Sequence, residues 1–269
     1  MARFPRGSQW RRWDLHIHTP GTMKNDQFTG KNIEEKWDLF YKKVNDYVGD
    51  GTNPLKAVAV VGITDYMSVD NYFKVIHEKK LPSCVKLILP NVEMRIQPFA
   101  EKAPVNIHFI FNPAIMENIT ERFFAKLSIS YGSTVFNGTK AELQRLGKTM
   151  DHTLDDTGAY KKGIEMFVPS LEKVQEIFRN DAELRDNTII LASNSSGDGI
   201  TGIMKNGETA SQMQAIRQSL YHFVDAIFSA NPKDIAFFSG KNPNVPESEV
   251  FQQCGGLKPC VHGCDAHDN

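Results

Sequence analysis

The run from Ala57 to Thr64 constrains the fold more than any other segment. It reads Ala-Val-Ala-Val-Val-Gly-Ile-Thr, almost continuously apolar and rich in valine. Valine and isoleucine favour strands, and an apolar run without polar alternation is typical of a strand buried on both faces of its sheet. Such a sheet must be covered on both sides, and α/β proteins provide that cover with helices. The run therefore predicts an α/β fold.

The rest of the chain shows strand and helix patterns in alternation, which favours a parallel α/β arrangement. Polar residues gather at the C-terminal ends of many strands, and this favours a barrel over an open sheet. The segment 149–163 is expected to be an exposed loop. Predicted strands are 13–18, 57–64, 85–96, 105–111, 188–193, 234–239 and 259–263. Predicted helices are 31–48, 69–79, 117–128, 139–149, 170–179 and 208–229.

The length and charge of the chain limit the number of domains it can form and the partners it can attract. Its 269 residues are enough for one large α/β domain, and we expect a single domain over 1–269 with its core over 10–269. The formal net charge of −1 provides no global basic field to attract nucleic acid.

No apolar stretch approaches the roughly 18 residues of a membrane helix, and the N-terminus lacks an apolar signal core. We expect a cytoplasmic protein without membrane contact.

Three of the four cysteines, Cys254, Cys260 and Cys264, lie close together near the C-terminus. A large cytoplasmic chain does not need disulfides, so small half-buried thiols are the preferred interpretation. A zinc knuckle with His262 is the alternative, although no CxxC pair is present.

Histidines and acids follow several predicted strands. His16 and His18 are two residues apart on the first strand, so their imidazoles point to one side, roughly 6–7 Å apart. The same alternation places Asp265 and His267 on one side if the last strand stays extended as far as those residues. Side chains from neighbouring strands would then converge at one mouth of a barrel. The predicted metal ligands are His16, His18, Glu93, His108, Asp265 and His267.

Imidazole mixed with carboxylate suits zinc, manganese or iron better than magnesium or calcium. One to three ions are possible, with two expected. Glu93 or Asp265 is able to bridge two ions, which would activate a water and clamp a phosphate through its oxygens. We expect Glu93, Asp265 and His267 to be the catalytic residues.

Each of these signals is weak when it stands alone. Two histidines can meet on a surface strand by chance, His108 can be a core histidine, and Asp265 with His267 can belong to a frayed tail. The combination carries the prediction, because five of the eight histidines lie on or just after predicted strands. The remaining three, His77, His152 and His222, fall in helices or loops.

A second group of residues is expected near the site without binding metal. Asp14 is either a partner that orients a ligand histidine or an ordinary acid at the end of a strand. For the basic residues Arg11, Arg12, Arg95, Lys161 and Lys162, phosphate contact is possible, but solvated surface is the preferred interpretation. The other candidates for substrate contact or ligand support are Asp65, Tyr66, Asn194 and Ser195.

Four short motifs resemble those of the PHP (polymerase and histidinol phosphatase) superfamily, in the same order along the chain. Trp13 to Thr19 resembles the first motif, Ile63 to Tyr66 the second, and Asn91 to Glu93 the glutamate motif. Gly263 to His267 resembles the last motif, in which serine usually stands in place of Cys264.

The resemblance implies a distorted (β/α)7 barrel of PHP type with up to three metal ions. On that pattern His16, His18, Glu93 and Asp265 hold one ion. Glu93 bridges to a second ion that His108 also binds, and His267 helps to hold a third.

The chain departs from the family pattern at three places. Tyr66 stands where the second motif ends in histidine, and Lys24 or Asp26 where a ligand follows the first motif. Asn194 or Ser195 replaces the histidine expected after the strand at 188–193. These departures weaken the second and third ion sites.

The wider run from Gly7 to Gly21 resembles the N-terminus of TrlF-family proteins, in which a PHP domain precedes an AAA-like or SMC-like ATPase. This chain contains no Walker A sequence, so it resembles only the phosphoesterase part, and an ATPase domain or subunit is an expected partner.

Three functions remain open at this point. The first is a phosphoesterase that acts on DNA, RNA or nucleotides, as in repair or defence. The second is a small-molecule phosphomonoesterase of histidinol-phosphatase type. The third is a degenerate regulatory module without catalysis.

Overall fold

The computed structural model of the chain describes residues 11–49, 51–53, 56–203, 210–265 and 267. The first part of the TrlF-like run, from Gly7 to Trp10, lies outside the described residues. The start of the helix predicted over 208–229 also lies outside them.

The chain divides into two compact units. One contains Met1–Asp65, Val69–Pro90 and Gly263–Asn269, and the other contains Tyr66–Ser68 and Asn91–His262. The strand Leu87–Phe99 contributes residues to both units.

The first unit begins with the predicted strand–helix–strand pattern. Its strand order is β1-β2-β3, and β1 pairs with β2 in parallel. All nine residues of β2 are buried, as its apolar run predicts. The elements are β1 (Arg12–His18), α1 (Ile33–Val48), β2 (Val58–Tyr66), α2 (Asp70–Glu78) and the first part of β3 (Leu87–Phe99).

Helix α1 begins where the sequence predicts it. The Asn32 side chain accepts a hydrogen bond from the Glu35 amide at 2.8 Å, which satisfies a donor of the first turn. Trp37 and Phe40 are buried and meet edge to face, with ring centroids 5.5 Å apart. Tyr41 and Val48 are buried as well, whereas Ile33 and Tyr47, which share the helical spacing of Trp37 and Phe40, are exposed, so the helix packs through only part of its apolar stripe.

The second unit contains most of the helices. Its sheet has the order β3-β4-β7-β8-β9, and a separate two-stranded hairpin is formed by β5 and β6. The remaining strands are β4 (Pro104–Phe111), β5 (Ser128–Tyr131), β6 (Thr134–Asn137), β7 (Thr188–Ser193), β8 (Ala226–Phe228) and β9 (Cys260–Val261). The helices are α3 (Lys140–Met150), α4 (Asp156–Met166), α5 (Leu171–Asn180), α6 (Ala182–Asp186), α7 (Ala210–Phe223), α8 (Pro232–Phe238) and α9 (Glu247–Cys254).

The expectation of a parallel sheet is wrong in the middle of this unit. Strands β3 and β4 are antiparallel, and so are β4 and β7, whereas β7, β8 and β9 are parallel. Only residues 100–103 connect β3 to β4, and so short a connection can join antiparallel strands but cannot make a crossover. The α/β class is confirmed, and closure into a PHP-type barrel stays a prediction.

Several local predictions are wrong. The predicted strand 234–239 is helix α8, which begins at the Asn231 cap and has Pro232 in its first turn. The predicted helix 208–229 ends at Phe223 and gives way to β8, and the predicted loop 149–163 contains much of α4. Residues 117–128 form only short irregular helical turns before β5.

None of the helices among the described residues is both long and apolar enough to cross a bilayer.

Helices α3 and α4 approach closely because each has a glycine at the contact. A Cβ at Gly147 would lie 1.9 Å from the Ala159 carbonyl oxygen, and one at Gly163 would lie 1.9 Å from the Leu143 carbonyl oxygen. Neither position therefore has room for a side chain.

We predict that Gly163→Ala lowers the free energy of unfolding by about 2–3 kcal/mol, because the new methyl group forces the two helices apart. Urea denaturation measures the change. Lys161→Ala, on the exposed face of the same helix, is the control and should change the unfolding free energy by less than about 0.5 kcal/mol. Equal stability of the two variants would contradict the close contact.

Candidate metal centre

A β-bulge in β1 places His16 and His18. Asp14 pairs with Val61 of β2, but Ile17 pairs with Ile63, so three steps along β1 match two along β2. A bulge of this kind redirects side chains from strict alternation. The Nε2 atoms of the two histidines lie 3.1 Å apart, much closer than the predicted 6–7 Å. Both side chains are buried.

The segment that carries Asp265 docks on the same strand. The Asp265 amide donates to the His16 carbonyl oxygen at 2.9 Å, and the Cys264 amide donates to the Asp14 carboxylate at 3.0 Å. Gly263 is required here, because a Cβ would lie 2.5 Å from the His16 Cβ. Asp14 therefore holds the backbone beside Asp265, a role that neither sequence alternative, a partner of a ligand histidine or an ordinary strand-end acid, described.

Three imidazoles then surround one carboxylate. The Oδ1 atom of Asp265 lies 3.2 Å from His16 Nε2, 3.6 Å from His18 Nε2 and 3.4 Å from His267 Nε2. The rings of His18 and His267 stack with centroids 3.9 Å apart. The structure thus brings together four of the six predicted ligands.

These separations fit a shared cation. Two ligand atoms about 2.1 Å from one ion, at a tetrahedral angle, lie about 3.4 Å apart. The ligand atoms of His16, His18 and Asp265 all lie within 4.8 Å of one another. Imidazole with one carboxylate suits zinc or a first-row transition ion.

Asp65 lies near this cluster without joining it. It is 4% exposed, and burial raises its pKa to about 7, an effect that the nearby His18 opposes. A carboxyl group in this state holds a proton below neutral pH.

The second unit brings Glu93 and His108 together. The two residues are directly opposite on antiparallel strands β3 and β4, and both are 1% exposed. Asn106 donates to Glu93 Oε1 at 2.9 Å. His108 Nδ1 lies 3.1 Å from the Asn91 amide oxygen, and a neutral ring that donates Nδ1–H to that oxygen has its lone pair on Nε2. This is the tautomer that binds a metal through Nε2.

Asn91 and Asn106 are functional candidates that the sequence interpretation left without a role. Each is two residues from a predicted ligand on the same strand, Asn91 before Glu93 and Asn106 before His108. Strand alternation therefore places each on its neighbour's face. That spacing is a signal in the sequence, but a strand alone does not reveal which cross-strand partner an amide meets.

The residues predicted after β7 make bonds inside the protein. The Asn194 amide oxygen accepts a hydrogen bond from the Tyr221 hydroxyl at 2.8 Å, and Asn194 is buried. The Ser195 hydroxyl donates to Asp198 within its own loop. The loop itself is pinned, because amides of Lys102, Ala103 and Asn106 donate to its carbonyl oxygens. These contacts assign both candidates to loop structure.

The remaining candidates near the site are either exposed or held by contacts with neighbouring residues. The Arg12 guanidinium donates to the Tyr47 hydroxyl at 3.0 Å and to the Lys56 carbonyl oxygen, and Arg11 is exposed. Tyr66, at the end of β2, is 6% exposed, which agrees with packing. Asp26 accepts from the Phe28 amide and from Lys36.

The cysteines do not form a zinc knuckle within the described residues. All four are free thiols, and none belongs to a group of three possible ligands there. Burial raises the pKa of Cys254 and that of Cys260 to about 11. Such thiols resist ionisation, as the interpretation of half-buried cysteines expects.

A cavity of about 290 Å³ adjoins the histidine cluster in the first unit. Apolar side chains of α1, β1 and β2 form most of its wall, including Phe40, Val44 and Val61. His18 and Cys264 also line it, together with Asp14.

Comparison with known proteins gives little support to any assignment of family or function. No family model and no curated protein matches the sequence. Among solved structures, a proposed metal-dependent phosphoesterase of Bifidobacterium adolescentis is similar over 96% of this chain and 88% of that chain, with 12% identity and a TM-score of 0.39. A score this low does not establish a shared fold, so the function must be argued from the side chains.

We predict that Asp14→Ala weakens zinc binding by about 10- to 100-fold, because the backbone that presents Asp265 loses its carboxylate anchor. Titration against a chromophoric chelator measures the affinity. Asp14→Asn keeps an acceptor oxygen for the Cys264 amide and should stay close to wild type. Unchanged binding in Asp14→Ala would show that the anchor does not support the cluster.

Proposed function

We propose that this protein is a metal-dependent phosphoesterase that hydrolyses phosphate esters with a metal-activated water. One observation carries the proposal: the Nε2 atoms of His16, His18 and His267 converge on the Asp265 carboxylate at 3.2–3.6 Å. Ligand atoms at these separations suit a transition-metal ion. Three imidazoles around one carboxylate are more than an ordinary ion pair contains.

A divalent ion in this cluster would supply a Lewis acid and an activated water for attack on phosphorus. The chain's own residues prepare the site for it. Asp14 and the His16 carbonyl oxygen fix the backbone of Asp265, and the β-bulge points both strand histidines at that carboxylate. Burial of His16 and His18 limits water around the ligands and strengthens their electrostatic interactions.

We further propose that Glu93 and His108 hold a second ion, as the resemblance to PHP proteins implies. Support comes from their own surroundings, since Asn106 orients the Glu93 carboxylate and Asn91 sets the His108 tautomer. Zinc, manganese and iron all suit this donor set.

A third ion is not part of the proposal. The family pattern places a histidine after β7, but here Asn194 accepts from Tyr221 and Ser195 donates to Asp198. His267 instead lies 3.4 Å from Asp265 and stacks on His18, which supports a role in the first centre.

For the substrate we propose a nucleic acid or nucleotide, handled together with an ATPase. This part depends on the resemblance of Gly7–Gly21 to TrlF-family proteins. The near-neutral net charge favours the alternative, a small phosphate monoester, because no global basic field attracts a polyanion. A regulatory module without catalysis would bind metal and hydrolyse neither substrate.

We predict that the purified chain holds about two transition-metal ions, as in two-metal phosphoesterases. His16→Ala should lose at least one of them, and Glu93→Gln or His108→Ala should lose the other. Plasma emission spectrometry of protein prepared without chelators measures the content. His77→Ala, an exposed histidine of α2 in the first unit, should keep the wild-type content. Metal content near zero in the wild type would refute the proposed enzyme.

We predict hydrolysis of phosphate esters that falls by about 100-fold or more in His16→Ala, because the metal stabilises charge worth several kcal/mol in the transition state. Rates on p-nitrophenyl phosphate, bis-p-nitrophenyl phosphate, and single-stranded and duplex DNA separate the substrate classes. Preference for the diester and DNA supports the nuclease. Preference for the monoester supports the phosphatase, and a metal-loaded protein that is inert on all four supports the regulatory module.

A further inference from the structure

Arg95 differs from the surface arginines with which its sequence groups it. It follows Glu93 by two residues on β3 and pairs across the sheet with Asn106, while Glu93 pairs with His108. Alternation therefore places Arg95 on the same face of the sheet as Glu93. Its side chain is only 18% exposed. The preferred interpretation from sequence, a solvated surface charge, is thus wrong for this residue.

One end of the Arg95 guanidinium is fixed. Nη1 donates to Asp198 Oδ2 at 2.7 Å and to the Pro104 carbonyl oxygen at 3.3 Å. Asp198 is itself fixed, since its other oxygen accepts from Ser195 and its backbone carbonyl accepts from the Asn106 amide at 2.7 Å. Burial works against ionisation of Asp198, but the bonds from Ser195 and Arg95 lower its pKa.

The Nε end of the Arg95 guanidinium is a donor that is not satisfied. Nε is buried and has no hydrogen-bond partner among the described residues. Arg122, in the same unit, provides a contrast. Its Nε and Nη2 both donate to Asp181, and its Nη1 donates to Glu183, so all three of its nitrogens are bonded. The ion pairs of Arg122 therefore use every nitrogen of its guanidinium, whereas within the described residues Arg95 is bonded through Nη1 alone.

We propose that Arg95, held by Asp198, binds a phosphoryl oxygen of the substrate beside Glu93. The inference rests on the proposed function and assigns to that site the residue that recognises the anionic group. A planar guanidinium offers paired N–H donors that match phosphate oxygens, and a buried donor without a partner is unfavourable until it is bonded. Neither amide near Glu93, on Asn91 or Asn106, supplies positive charge.

A second interpretation of the unbonded Arg95 Nε can be tested against this proposal. Asn106 Oδ1 is also buried without a hydrogen-bond partner in the described chain. A water between it and Arg95 Nε would satisfy both atoms, and the arginine would then serve only to fasten the loop at Asp198.

Titration of inorganic phosphate into the full metal-loaded chain separates these accounts. Arg95→Gln should weaken phosphate binding by about 10- to 100-fold while metal content stays at the wild-type value. Arg95→Lys keeps the positive charge but loses the paired donors of the guanidinium. Its phosphate affinity should therefore lie between those of the wild type and Arg95→Gln. Arg122→Gln is the matched control and should bind phosphate like the wild type.

Asp198→Asn tests the loop separately, because it breaks the ion pair and leaves Arg95 in place. It should weaken phosphate binding much less than Arg95→Gln does. Equal losses in these two variants, an unchanged affinity in Arg95→Gln, or no phosphate binding by the wild type would each overturn the assignment.

Rates of ester hydrolysis, measured on the same variants, distinguish a failure of this proposal from a failure of the proposed function. A chain that binds phosphate through Arg95 but hydrolyses no ester would refute the function and keep the anion site. Hydrolysis with the same KM and kcat in wild type and Arg95→Gln would keep the function and refute the role of Arg95.

Discussion

The docking of Gly263–Asp265 on strand β1 is the interaction on which the candidate centre depends. The bond from the Cys264 amide to the Asp14 carboxylate joins residues 250 positions apart. A second bond, from the Asp265 amide to the His16 carbonyl oxygen, fixes the carboxylate beside the imidazoles. Backbone can come this close to β1 only because residue 263 is glycine. Without this contact His16 and His18 would lack the carboxylate that completes their cluster.

Buried polar groups are arranged by a different means in the second unit. There a pair of antiparallel strands sets Glu93 opposite His108, and flanking amides bond to each of them. Burial of such groups is unfavourable unless hydrogen bonds compensate, so the surrounding amides are as important as the ligands. The pinned loop at 194–199 extends the same network through Asp198. The second unit therefore holds Glu93 and His108 on adjacent strands, whereas the first unit holds His16 and His18 on β1 and presents Asp265 from a segment that is bonded to that strand.

Secondary structure could be predicted wherever the local pattern was strong. The helical pattern of residues 31–48 located α1, and the valine-rich run located β2. The prediction failed at 234–239, where apolar and aromatic residues suggested a strand but Asn231 and Pro232 begin a helix. It also failed for the direction of β4, because a pattern of residues does not encode strand orientation and only the short connection at 100–103 does.

For the candidate site, the sequence by itself determined which residue types are present and which of them share a face of a strand. Periodicity is local, so it was enough to select His16 with His18 and to suggest the acids that accompany them. Only the tertiary structure decided that a bulge closes the two Nε2 atoms to 3.1 Å and that Asn194 bonds to Tyr221. Those facts depend on partners far away in the chain, and the energy of a bulge or a buried hydrogen bond depends on what each partner presents.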